Sequence, residues 1–268
     1  MITLRAFRTI ITLLATVCFC CPVFGAETLP HTVLWAWQRP EDLSSLNPDE
    51  FAVAYLACTV TLGERIVSSP RVQPLKVPEK MRMLPVIRID TDRLHPPPLS
   101  DSQADLVAHI IAQFAGLPRS DGVQIDFDAT LLQRPFYRSL LDKVRSLLPA
   151  GTPISITALA SWCLFDNWIQ DLPVDETIPM MFSLGSERQK VLLYFQQQRD
   201  FTTGPCCRSL GLSLEDKQVN DLMVPLATAR KTPVRLYFFT RTAWTPEKVQ
   251  LVRNLLSKNE KTESIKPN

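Results

Sequence analysis

A chain of 268 residues with only 8 glycines has little room for the loops that cradle nucleotide phosphates, and no GxGxxG or P-loop string occurs in it. Histidine is as scarce. His31, His95 and His109 are the whole supply, no CxxC pair occurs beyond residue 26, and no spacing suits zinc, so neither a metal nor another cofactor is expected. An excess of one charge is also missing. Lys and Arg number 29 against 27 Asp and Glu, and with no basic block before the tail there is no electrostatic footprint for nucleic acid.

Long hydrophobic runs are confined to the start. Residues 10–24 are apolar, behind Arg5 and Arg8 and ahead of the small residues Gly25 and Ala26. That is the pattern of a secretory leader over residues 1–26. The run falls short of the roughly 20 residues a spanning helix needs, so no stable membrane span is expected. The mature protein is expected in the periplasm or outside the cell. Cys18, Cys20 and Cys21 follow Val17, Phe19 and Cys20, not the small residue a lipidation signal wants, which disfavours a lipid anchor.

What is present suffices for one large domain. Strand-like segments fall at 33–37, 51–62, 82–89, 123–127, 153–159, 177–183, 208–214 and 234–240. Helix-like segments fall at 100–114, 134–148, 166–172, 187–199, 216–230 and 246–256. In the first helix Leu106, Ile110, Ile111 and Phe114 mark one face, and Ser100-Asp101-Ser102 offers a cap. The connections 41–49 and 63–80 carry a short helix at best. This alternation predicts a single α/β domain over residues 27–256, a (β/α)8 barrel with irregular first connections, and a polar tail at 257–268. A doubly wound sheet, the rival, usually announces itself by a glycine-rich first turn that is absent here.

The densest chemistry is in the fourth strand, Asp121-Gly122-Val123-Gln124-Ile125-Asp126-Phe127-Asp128. Its period of two sends Val123, Ile125 and Phe127 to one face and Gln124, Asp126 and Asp128 to the other. Two carboxylates about 7 Å apart on one strand face share a site, which tends to raise one pKa and keep a proton for acid catalysis. A solvated strand end is the plain alternative. The barrel placement favours function, because such barrels work at the carboxyl ends of their strands. Trp37, Arg88, Asp90, Trp162, Arg241 and Trp244 are expected at the same rim. Acids flanked by Trp and Arg suit a sugar: aromatic faces pack against its CH surface while charged groups hold its hydroxyls.

The octet resembles the signature of family 18 glycoside hydrolases, Asp-Gly-apolar-Asp-apolar-Asp-any-Glu. Asp121, Gly122, Val123, Ile125 and Asp126 match it, Gln124 replaces an acid, and Asp128 stands where the family has its catalytic Glu. Pro179-Met180-Met181-Phe182-Ser183 is similar to that family's sixth-strand Met-any-Tyr-Asp, with Phe182 lacking the hydroxyl and Ser183 the carboxylate. The chain as a whole resembles an uncharacterised family of exported bacterial proteins with a domain of unknown function. That likeness rests on residues 34–40, 123–129 and 156–163. The expectation is an exported glycosidase-like barrel whose partner is an envelope polysaccharide or glycoconjugate. Asp128 would act as general acid, and Asp126 would tune it or orient an acetamido group. Gln124 and the rim residues named above would bind substrate. The alternatives are a barrel that binds carbohydrate without cleaving it and an envelope interaction protein.

Four cysteines follow the leader: Cys58, Cys163, Cys206 and Cys207. An even count in an exported chain favours disulfides. The barrel reading places Cys163 after strand five and Cys206 and Cys207 before strand seven, at opposite ends of strands roughly 17–20 Å long. A Cys163 bridge to either of that pair is therefore not expected.

Overall fold

The structure, a computed structural model, describes residues 29–263 apart from 167, 198–199, 202–203 and 231–233. The expected leader lies outside the described residues. Eight strands form the barrel: β1 (Thr32–Ala36), β2 (Phe51–Leu62), β3 (Arg82–Thr91), β4 (Val123–Asp126), β5 (Ile154–Leu159), β6 (Glu176–Met180), β7 (Ser209–Ser213) and β8 (Arg235–Phe239). Each pairs in parallel with the next, and β1 pairs with both β2 and β8, opposite Phe51 and Leu236 at Thr32, which closes the cylinder. This is the predicted single (β/α)8 barrel.

Six helices form the outer layer: α1 (Asp101–Ala115), α2 (Arg134–Leu147), α3 (Ala160–Leu164), α4 (Arg188–Gln196), α5 (Lys217–Thr228) and α6 (Pro246–Glu263). The first two connections carry none. A two-residue ribbon pairs Glu41–Asp42 with Leu75–Lys76, and Val67–Pro70 folds back antiparallel on the long β2. The helix expected at 166–172 is replaced by the earlier α3, and α6 runs seven residues past Leu256 into the expected tail.

Ser100 caps α1, its Oγ accepting from Gln103 N at 3.2 Å. The buried face of this helix is Ala104, Val107, Ala108 and Ile111, whereas Leu106 is exposed. All four of these side chains are small or β-branched, so the helix sits close to the sheet, and the bulkier residues of the expected face fall at its margins.

The register of β4 is the expected one. Val123, Ile125 and Phe127 belong to the large cluster between sheet and helices, and Phe127 meets Tyr137 of α2 edge-on at 5.1 Å. A separate cluster fills the barrel bore, with Val33, Trp35, Leu84, Val86, Ile178 and Tyr237 among its members. Trp35 occupies the bore beside Gly211 of β7, where an added Cβ would come within 2.8 Å of the indole. Gly122 is needed for a second reason: its φ is +127°, and a Cβ there would lie 2.4 Å from the Pro153 carbonyl oxygen.

The cysteine expectation is overturned. Cys163 and Cys206 are bridged, with Cα atoms 5.9 Å apart. Neither cysteine sits at a strand end. Cys163 lies on α3, which doubles back outside the barrel, and Cys206 in the tight turn Gly204–Cys207 that precedes β7. Both are buried in the outer layer beside β6, so the length of a strand does not separate them. The strand order stands. Cys58 is buried and unbridged at the β2 bulge, its Sγ 3.2 Å from Ser68 Oγ.

Candidate active site

At the carboxyl end of β3 and β4 a cleft of about 560 Å³ opens between Arg88, Asp90, Asp126 and Asp128. Its walls follow from local sequence. Asp126 ends β4 facing inward, and Asp128 lies two residues beyond, exposed where the chain turns on an Ala129 N to Phe127 O hydrogen bond of 2.8 Å. Thr130 and Gln133 form a capping box, and Gln133 Nε2 donates to Thr91 Oγ1 at 2.8 Å, which ties the loop after β4 to the end of β3.

Asp126 is nearly closed off from solvent, at 8% exposure. Thr157 Oγ1 of β5 donates to its Oδ1 at 2.6 Å, and Arg88 Nη1 stands 3.8 Å from its Oδ2. Arg88 gives its shorter contact to Asp90, Nε to Oδ1 at 2.9 Å. Burial raises the Asp126 carboxyl to about 6; the Thr157 hydrogen bond and Arg88 hold it down, while Asp128 and Asp90 push it up. Asp128 is raised too, by partial desolvation in the cleft and by Asp90, against the pull of Arg88. Two acids of raised pKa thus share one opening, with the Arg88 guanidinium spread over three carboxylates.

Beside this cleft lies an aromatic floor. Arg88 sits over the Trp37 ring at 5.9 Å, Trp37 meets Phe239 edge-on at 6.4 Å, and Phe239 stacks on Phe182 at 5.4 Å. Across the mouth, a second rim pocket of about 310 Å³ contains Ser183, Glu215 and Arg241. Burial pushes Glu215 upward, but hydrogen bonds from Ser213, Thr240 and the Arg241 backbone outweigh it and bring the carboxyl to about 2.

The expected site residues therefore divide. Asp126, Asp128, Arg88, Asp90 and Trp37 come together, and Arg241 stands across the mouth. Three others do not reach it. Gln124 is wholly buried in the bore, where its Oε1 accepts from Trp35 Nε1 at 2.7 Å and its Nε2 donates to Ser155 Oγ at 3.3 Å. Trp162 is on α3, packed edge-on against Trp168 at 4.9 Å in the outer layer. Trp244 is buried at the β8–β1 seam, its backbone N donating to Glu41 Oε2 at 2.8 Å and its indole N–H to the Trp35 carbonyl at 2.9 Å. In each case a strong hydrogen-bond or packing demand inside the fold claims the side chain. Asp121 belongs to the other end of β4, where it accepts from Arg82 Nε at 2.7 Å and Met83 N at 3.1 Å.

Thr157, Phe182, Phe239 and Glu215 contribute to the mouth without having been singled out as site residues. The signal for Glu215 was available: it is an acid two residues past the end of a barrel strand, as Asp128 is. Among the described residues no group of three His, Cys, Asp or Glu side chains could hold a metal ion, and no helix is long and apolar enough to cross a membrane. No protein-family model and no curated protein sequence matches the chain.

Proposed function

We propose that the acidic cleft is a glycan site and that the protein is an exported glycosidase-like barrel acting on envelope polysaccharide or glycoconjugate. One observation carries this reading: Asp126 and Asp128, both with raised pKa, share an open cleft at the carboxyl end of the barrel strands. Asp128, the exposed member, donates its proton to the glycosidic oxygen as the C–O bond breaks. Asp126 lies behind it, coupled to it by like charge, and tunes it or accepts a hydrogen bond from a substrate acetamido group. Trp37 and Phe239 supply the apolar surface that a pyranose ring packs against.

A second reading, glycan binding without cleavage, is favoured by Phe182 and Ser183, which replace the hydroxyl and carboxylate of the family signature. Purified protein incubated with chitooligosaccharides and peptidoglycan strands separates the two. New reducing ends that disappear in Asp128→Asn, with affinity retained, support hydrolysis. Binding without turnover in the unaltered protein supports the second reading, and no binding of either polymer defeats both.

A further inference from the structure

The mouth is electrically lopsided. On the β3–β4 side Asp90, Asp126 and Asp128 face Arg88 and Arg93. On the opposite side, around the ends of β8 and β1, the cations are Arg39, Arg71, Arg241 and Lys248, against Glu41 and Glu215. The carboxylates of that side are committed. Glu215 accepts from Ser213 Oγ at 2.6 Å, Thr240 Oγ1 at 2.7 Å and Arg241 N at 3.0 Å, while Glu41 is buried against Trp244 N and Arg39.

Most of the cations are committed as well. Arg71 donates to the carbonyls of Arg39 and Gln73 at 2.6 and 2.9 Å, Lys248 to Thr240 Oγ1 at 2.9 Å, and the neighbouring Arg188 to Asp216 at 2.8 Å. Arg241 is the exception. Its backbone is held by Glu215 and Arg39, which fixes where the residue stands. Among the described residues its exposed guanidinium has no hydrogen bond or ion pair, its charge is felt by Asp216, which Arg188 already holds, and it lines the pocket that also contains Ser183.

Between the two charged sides runs the aromatic floor of Trp37, Phe239 and Phe182. Eight strands about 4.8 Å apart and tilted by about 40° enclose a barrel roughly 15 Å across, so the two sides are separated by the length of a short oligosaccharide.

We propose that Arg241 receives an anionic substituent, a sugar carboxylate, on a glycan that crosses the aromatic floor with its scissile bond at Asp128, so that the substrate class is an acidic oligosaccharide. This rests on the glycan reading of the mouth and adds to it an orientation and a charge. A guanidinium with free donors on an anchored stretch of backbone suits a planar carboxylate, which it can hold through two parallel hydrogen bonds. A neutral chain meets the same floor and acids but leaves those donors to water.

Calorimetric titration tests it with three probes: a tetrasaccharide of alternating N-acetylglucosamine and N-acetylmuramic acid, its carboxyl methyl ester, and chitotetraose. The full chain should bind the free acid about tenfold more tightly than the ester, a difference of about 1.4 kcal/mol. That ratio should shrink as salt is raised. Arg241→Gln should bring the ratio close to one, Arg241→Lys should restore part of it, and Arg208→Gln at the far end of the barrel should leave it at its starting value. A melting curve on each variant confirms folding. Equal affinity for acid and ester in the unaltered protein, with chitotetraose also bound, overturns the anion site while leaving the glycan site in place. Failure of all three probes to bind removes the glycan reading and this inference with it.

Discussion

The two ends of the barrel hold cavities of nearly equal size, about 600 Å³ at the amino end and 560 Å³ at the carboxyl end, yet their charges are arranged oppositely. At the amino end each carboxylate has its own guanidinium at close range: Arg82 with Asp121 at 2.7 Å, Arg235 with Glu176 at 2.7 Å and Arg145 with Asp175 at 2.6 Å. At the carboxyl end Asp126 has its nearest guanidinium at 3.8 Å, and that group is already given to Asp90. Volume does not distinguish the ends. What distinguishes them is whether the acids are neutralised, since a paired carboxylate stabilises the fold while an under-paired one keeps a proton to transfer.

The sharpest way to break this comparison is to remove one acid from each end. Asp128→Asn should lower glycan turnover by about 10²–10⁴-fold, the usual worth of a general acid, with little change in melting temperature. Asp121→Asn should do the reverse, lowering stability while leaving turnover per folded molecule intact. Equal losses of turnover in the two variants would erase the distinction.

Packing behind the acids comes next. Phe127→Ser should cost about 3–5 kcal/mol in chemical denaturation, because it empties the contact with Tyr137 that seats β4. A near-neutral result would mean that the strand can turn its acids away from the mouth without penalty.

The disulfide joins a segment leaving the carboxyl end to one entering the amino end. It closes a loop of 43 residues, so replacing both Cys163 and Cys206 by Ser should cost about 2–4 kcal/mol. Non-reducing peptide mapping should find the Cys163–Cys206 crosslink itself.

The smallest effect expected is the pH dependence of Asp126. Folding raises its pKa from 3.8 to about 6, so the folded chain holds more protons than the unfolded one between those values. Its contribution to stability is therefore fully present below that window and lost as pH rises through it, by about 3 kcal/mol at most. Asp126→Asn should flatten that slope in denaturation curves measured at pH 4 and pH 7. Glu215, held near 2 by its hydrogen bonds, acts in the opposite sense: its contribution is present above its ordinary value of 4.5 and lost as pH falls toward 2.

The barrel was legible because strand and helix periods differ and the segments alternate in order. The register of β4 was legible for a similar reason, since a two-residue repeat assigns faces without knowledge of neighbours. Partnership across the chain was not. Nothing near Trp244 in sequence indicates that Glu41 and the Trp35 carbonyl claim it, and nothing near Gln124 points to the indole of Trp35, 89 residues earlier. Aromatic and polar residues just past strands are therefore poor guides to a rim, because some turn into seams that only the closed cylinder creates. The cysteines failed by the same logic. Positions along the chain were converted into heights along the barrel, whereas α3 brings Cys163 back down the outside.

Trp35 seated against Gly211, together with Tyr237 and Ile178, leaves the barrel without an axial conduit among the described residues. The molecule is thus an insulator along its own axis. A solute or ion admitted at one mouth has no open route to the other, and each mouth exchanges such solutes with bulk solvent independently. Any influence of one end on the other has to travel as displacement of the strands or as the electric field of the charges, which a packed interior does not block.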